Sequence, residues 1–362
     1  MPARRIAIAL GCAIALGALP QPRSPAADPV PDRDKVDRTV AKALTFLRRS
    51  QTAEGCWKSF GFGNEKSAGV TGLCVMAFLS AGQTPSEGEH AKAVADGVRW
   101  VLGRQRGNGL ISTDGDFEMY HHGICTLMLA EVVGMCPPDL DDDVRTALAK
   151  AVDVILKAQR REGPHAGGWR YTVYGGDADL SVTGWQLLAL RAAKNVGCDV
   201  PASAIDRAVA YVKRCYDATR GTFAYTVRGS LTVPCAGTGV LGLELCGKDL
   251  HRCRESLRAG TYVLRNPPSF DQPHCFYGLY YCSQAMFQLG DPYWAAYRAR
   301  LHGLLLPTQR GDGSWFGNDG EARRVGPNYT TAMAVLALTV EYRFLPIYQR
   351  GEEPAAEPGK DR

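Results

Sequence analysis

Residues 309–315 read QRGDGSW and residues 51–57 read QTAEGCW, near opposite ends of a 362-residue chain. Each is Gln, three residues, Gly, one residue, Trp. A motif written twice so far apart points to an internal repeat, and a period decides the fold where one is present. Weaker copies lie between. Gln105 and Gly109 keep the Gln and Gly, whereas Gln159, Gly163 and Trp169 keep all three across an insertion. Asp217, Gly221 and Phe223 keep spacing and character, and residues 264–270 form a degraded fifth copy. Six copies result, spaced 45 to 58 residues apart.

The segments on either side of each copy differ in kind. Before it stands an amphipathic stretch rich in Ala, Leu, Arg and Lys (residues 36–50, 91–104, 143–158, 204–215, 250–264 and 293–308). Val40, Leu44 and Leu47 recur there at spacings of three and four, which predicts a helix with one wet face. After it stands a stretch apolar nearly all round (residues 68–82, 120–134, 182–197, 238–247, 276–290 and 329–342), which predicts a helix buried on every side. At such lengths these stretches are too short to cross a bilayer. Gly in the turn suits a left-handed helix end. The Gln amide can bond free backbone groups, and the Trp can pack beside it. Aligned on their apolar runs, Thr71, His122, Thr183, Thr238 and Thr331 share one register near the inner-helix starts.

Six hairpins with a wet outer and a dry inner ring predict an all-α fold, a closed (α/α)6 toroid over residues 34–349. The terminal turns then become neighbours across the seam. Arg4 and Arg5 precede an apolar run over residues 6–19, so residues 1–27 read as a secretory signal and the protein as exported. Residues 28–33 read as a linker and residues 350–362 as a disordered tail. Losing Arg4, Arg5 and Arg23 lowers the formal charge from +5 to +2, with no basic run left for nucleic acid. Twelve cysteines in an exported chain favour disulfides, but Cys74, Cys125, Cys246 and Cys282 fall inside apolar helical runs, which favours buried thiols. No pair has metal-knuckle spacing, and no metal or cofactor is expected.

The Gln-Gly-Trp turns, with residues 276–290 (FYGLYYCSQAMFQLG) and 329–348 (YTTAMAVLALTVEYRFLPIY), resemble the prenyltransferase and squalene-cyclase repeat superfamily, closest to small exported single-toroid members. The resemblance implies the toroid and a central cavity for an isoprenoid-like apolar ligand. Triterpene cyclases of this kind carry Asp-x-Asp-Asp-Thr before an inner helix, the middle Asp donating a proton. Here Asp177-Ala178-Asp179-Leu180-Ser181 matches the first and middle acids and replaces the third. Asp177 and Asp179 are therefore the catalytic candidates, with turnover expected to stop in Asp179→Asn without loss of stability. A simpler role for Asp179 and Ser181 is to cap the third inner helix, and Arg170 can pair with either acid.

The zinc pattern of protein prenyltransferases is interrupted, because Gly278 stands where the His is required, with His274 and Cys275 just before it. Tyr120, His122, Trp169, Tyr171, Trp185, Tyr277, Tyr280 and Tyr329 are the candidate walls of the cavity, suited to an apolar ligand or to sugar stacking. Asp114, Asp116 and Glu118 precede the second inner helix as Asp177 and Asp179 precede the third. A shared rim of carboxylates is also a pattern for carbohydrate hydrolysis. Of His121 and His122, one is expected to face inward. Glu244, if buried, requires a partner. Two classes of function remain open: an enzyme using the rim acids, and a toroid that holds a small apolar molecule or glycan, or serves as a scaffold, without chemistry.

Overall fold

Residues 33–60 and 65–349 are described by a computed structural model. The expected signal segment and tail lie outside the described residues. Six helical hairpins follow one another: α1 (Arg33–Ser50) with α2 (Ala68–Ser80), α3 (Ala91–Leu102) with α4 (Glu118–Val132), and α5 (Pro138–Ala158) with α6 (Leu180–Asn195). Next come α7 (Ala202–Arg214) with α8 (Val233–Cys246), α9 (Arg254–Arg265) with α10 (Cys275–Leu289), and α11 (Tyr293–Leu305) with α13 (Pro327–Leu338). A short helix α12 (Gly320–Val325) precedes α13. A minimal antiparallel pair, β1 (Tyr216–Asp217) and β2 (Thr222–Phe223), forms the fourth turn.

The first member of each hairpin buries one stripe, as α1 does with Val36, Val40, Ala43, Leu44 and Leu47. The second member is enclosed; every residue of α2 is buried. Around the inner ring each helix packs on the next, and α13 packs on α2. Closure is visible in single bonds: Asn328 Nδ2 donates to Lys58 O (3.0 Å), and Thr339 Oγ1 donates to Ser80 Oγ (2.8 Å).

The repeated Gln is the clasp between units. Gln51 Nε2 donates to Gly55 O within its turn and to Ala93 O on the next outer helix, each at 2.8 Å. Gln105 does the same with Gly109 and Ala147, and Gln159 with Gly167 and Ala204. Gln309 bonds Gly313 and then Thr39 of α1, wrapping the pattern from the last unit to the first. The Trp seals the turn from inside, with Trp57, Trp169 and Trp315 donating their indole N–H to Leu47, Ile155 and Leu305. The backbone N–H of each of these residues meets the hydroxyl of Thr71, Thr183 or Thr331, the shared register read from sequence.

In the third turn the Gly of the motif is Gly167, whereas the sequence reading assigned Gly163. Gly167 has φ +90, and a Cβ there would lie 2.0 Å from Arg207 O of the next outer helix. Gly163 has open space around it. The inner helices after the first also begin earlier than their apolar runs. Asp179 and Thr232 cap α6 and α8 from outside, and Pro234 sits comfortably in the first turn of α8.

One end of the ring is filled. Residues 340–348 form two 3-10 turns that cross beneath the inner helices, where Ile347 N–H donates to Glu131 Oε1 (3.2 Å) and Gln288 Nε2 donates to Tyr348 O (3.0 Å). Glu131 and Gln288 stand near the C-terminal ends of α4 and α10, so the opposite end, where the inner helices start, is the open mouth.

Candidate functional site

The first turns of the inner helices surround a cavity of about 650 Å³, within the range of ordinary small-molecule sites. Gly69, Tyr120, Ser181, Cys235, Tyr277 and Tyr329 come from six different inner helices, and Leu73, Ile124, Trp185 and Met333 lie one turn further in. The ring faces interlock: Tyr120 stacks on Tyr171 (centroids 5.8 Å apart), Phe117 meets Tyr171 at 5.0 Å, and Trp185 meets Tyr277 edge-on at 6.5 Å. Charge is confined to the rim, where Glu65, Lys66, Asp114, Asp116, Glu321 and Arg324 stand. Such a cavity can take an apolar body inside and a polar group near the mouth.

The two acids expected to do chemistry do not line this cavity. Asp179 is fully buried and caps α6, its Oδ1 accepting from Val182 N–H (2.9 Å) and Ser181 Oγ (2.8 Å). Its Oδ2 accepts from Arg170 Nη1 at 2.7 Å. Burial raises the Asp179 carboxyl from its ordinary range, while these bonds and the Arg170 charge pull it back. Asp177 is half exposed and meets Arg170 Nε at 3.2 Å. One guanidinium therefore ties both acids together, and neither of them lines the cavity. Capping and ion pairing, the simpler roles, are what the geometry gives them.

The histidines divide as anticipated, but in the opposite sense to the wall assignment. His122 is fully buried and stands in for the Thr of the other units, with Nδ1 accepting from Ile111 N–H (3.0 Å) and Nε2 donating to Ala151 O (3.0 Å). It is structural. His121 faces the cavity, with Nδ1 accepting from Thr113 N–H at 3.3 Å, and burial lowers it to about 4, which keeps it neutral near pH 7. At the mouth, His274 Nδ1 meets Glu321 Oε2 (2.7 Å), and Tyr329 OH donates to Glu321 Oε1 (3.0 Å). The bond to Glu321 raises His274 above its ordinary value.

Among the proposed wall residues, Tyr120, Tyr171, Trp185, Tyr277 and Tyr329 line the cavity. Trp169 does not, being spent on the Gln-Gly-Trp turn. Tyr280 lies beneath, stacked on Trp185 at 5.3 Å and bonded to Tyr348 of the crossing segment. Phe117, Tyr225 and the α12 pair Glu321 and Arg324 are not marked in the sequence, because they reach the cavity from the connections between ring helices, loops in the first two cases and a helix too short to show a period in the third. Of the rim carboxylates, Asp114 and Asp116 line the cavity, Asp177 does not, and Asp114 Oδ1 is engaged with the backbone of Asp116 and Phe117. The partner that Glu244 requires is present, as its carboxylate meets His251 Nδ1 at 2.6 Å and Arg252 N–H at 2.9 Å. Among the described residues every cysteine is a free thiol, and no group of His, Cys, Asp and Glu is placed to hold a metal ion. No described helix is long and apolar enough to cross a membrane.

No protein-family model matches the chain, and no curated protein matches it. Solved structures do. The type II terpene cyclase MstE from Scytonema superposes with a TM-score of 0.61 at 18% identity, covering 87% of this chain and 100% of that one. The GH76A α-1,6-mannanase of Salegentibacter sp. HEL1_6 gives 0.65 at 8% identity, covering 85% and 99%. Candida albicans protein geranylgeranyltransferase-I, complexed with GGPP, gives 0.54 at 12% identity, covering 87% and 96%. The shared feature is the α/α toroid, and the sequence resemblance to the prenyltransferase and terpenoid-cyclase superfamily holds at the level of fold.

Proposed function

We propose that this toroid is an exported protein that binds an isoprenoid-like apolar small molecule in its central cavity, its polar end toward the mouth, without chemistry at Asp179. The observation that carries the reading is the aromatic cavity of about 650 Å³ with charge confined to its rim. Apolar area buried there stabilises a ligand by about 25 cal/mol per Å², and ring faces add favourable stacking. Two of the structural neighbours are complexed with isoprenoid compounds, geranylgeranyl dihydroxybenzoate in a variant of MstE and GGPP in the Candida transferase. The mannanase is complexed with α-1,6-mannotriose in an inactive variant. A glycan-hydrolysing reading is less favoured, because Asp177 and Asp179 do not join Asp114 and Asp116 at one cavity.

Organic extraction and mass spectrometry of the purified protein, with calorimetric titration of farnesol, tests the reading. Leu73→Trp, which fills the inner part of the cavity, is expected to abolish uptake while the melting temperature stays within a few degrees. A protein that neither carries nor takes up an isoprenoid, or a Leu73→Trp variant that binds as well as the parent, overturns it.

A further inference from the structure

Given the ligand-filled cavity proposed above, the direction of each hydrogen bond in the wall between α4 and α6 limits what the ligand can be. Asp179, paired with Arg170, acts as an acceptor only. Ser181 has a single hydroxyl proton, and it goes to Asp179 Oδ1 at 2.8 Å. Tyr120 OH is also hydrogen-bonded to Ser181 Oγ. That second contact requires a proton as well, and Tyr120 must supply it. Toward the cavity Tyr120 is left with a lone pair and no donor.

Beside it the balance is reversed. Tyr171 OH and Tyr225 OH lie 2.5 Å apart, and Arg170 Nη1 donates to Tyr225 OH at 2.8 Å. The two phenols own two protons, and their mutual contact consumes one. Among the described residues no acceptor takes the other, and both side chains line the cavity. This pair therefore offers one O–H, whichever phenol carries it. Tyr120 and Tyr171 stack with centroids 5.8 Å apart, so acceptor and donor sit side by side on one wall.

We infer that this wall selects a hydroxyl group, the ligand O–H donating to Tyr120 while the ligand oxygen accepts from the Tyr171–Tyr225 pair. The ligand class is an apolar alcohol. A carboxylate or phosphate brings no donor for Tyr120, an ether brings an acceptor alone, and a hydrocarbon leaves both polar groups unmatched. Sites built to hydrogen-bond an OH discriminate against analogues lacking it, because the unpaired buried group is costly.

Calorimetric titration of farnesol, farnesyl methyl ether and farnesene into the full protein tests this. Farnesol is expected to bind on the order of tenfold more tightly than the ether or the hydrocarbon. In Tyr120→Phe the preference for farnesol over the ether should vanish, since both still accept from the Tyr171–Tyr225 pair, while farnesene affinity does not fall, which also shows that the cavity persists. The double variant Tyr171→Phe/Tyr225→Phe, needed because either phenol alone keeps its own O–H once the mutual contact is gone, is expected to reduce the farnesol preference severalfold and serves if Tyr120→Phe does not fold. Equal binding of all three probes by the parent overturns the hydroxyl inference and leaves the apolar cavity standing. Retention of the preference in a folded variant also overturns it. Failure of all three probes to bind removes the cavity reading itself and this inference with it.

Discussion

Arg170 Nη1 stands 2.7 Å from Asp179 Oδ2, and its Nε stands 3.2 Å from Asp177 Oδ2. The pattern that resembles a cyclase acid motif is thus folded into an ion-paired cap, one layer behind the cavity surface. Asp179 still influences the cavity, through Ser181 and Tyr120, as an orienting group.

Stability separates this role from an acid role. Removing one partner from a buried pair leaves the other uncompensated. Asp179→Asn is expected to lower the unfolding free energy by about 3 kcal/mol, measured by denaturant titration. A variant as stable as the parent contradicts the ion-paired cap.

A second buried acid gives a pH dependence. Glu131 is enclosed, and burial pushes it up to about 8, offset in part by Ile347 N–H. The folded chain keeps this proton where the unfolded chain has lost it. Stability from this group is therefore full below the ordinary carboxylate range and is lost as pH rises through about 8, at roughly 1.4 kcal/mol per pH unit. Glu131→Gln should abolish that slope and be the more stable protein at high pH. Parallel stability curves for parent and variant between acid and alkaline pH disprove the assignment.

The third turn permits a direct comparison of two glycines. Both Gly163 and Gly167 have positive φ, but only Gly167 abuts the next outer helix. Gly163→Ala should cost about 1 kcal/mol, the ordinary cost of a left-handed residue. Gly167→Ala should cost severalfold more, because the helix must move away. Thermal denaturation of the two variants ranks them, and an equal loss refutes the placement of the clasp.

The seam between first and last units can be tested in the same way. Gln309→Ala removes the donor to Thr39 and Gly313. It should destabilise by about 1 to 2 kcal/mol, matching Gln51→Ala at an internal junction. An unclosed stack has no bond across the seam, and Gln309→Ala is then the cheaper change.

The order of layers was legible in the chain because helical period and turn glycines are local properties. Residues 309–315 and 51–57 named the clasp, and the shared register marked Thr71, His122, Thr183 and Thr331, the groups that meet four of the turns. The Gly of the inserted turn was not legible, since two glycines with similar φ differ only in what faces them. Nor was the identity of the inward histidine, since His121 and His122 are adjacent and only the rotation of α4 separates them. Tyr225, Glu321 and Arg324 lie on connections whose path no periodicity describes.

By itself the sequence determined the hairpins, their wet and dry faces and the sixfold ring, because each follows from spacing along the chain and from the burial that spacing implies. Tertiary structure alone decided which polar groups meet the cavity and which are consumed behind it. Asp179 is spent because Arg170 and Ser181 reach it first, and Tyr120 faces the cavity with a lone pair because that chain of bonds has already taken its proton.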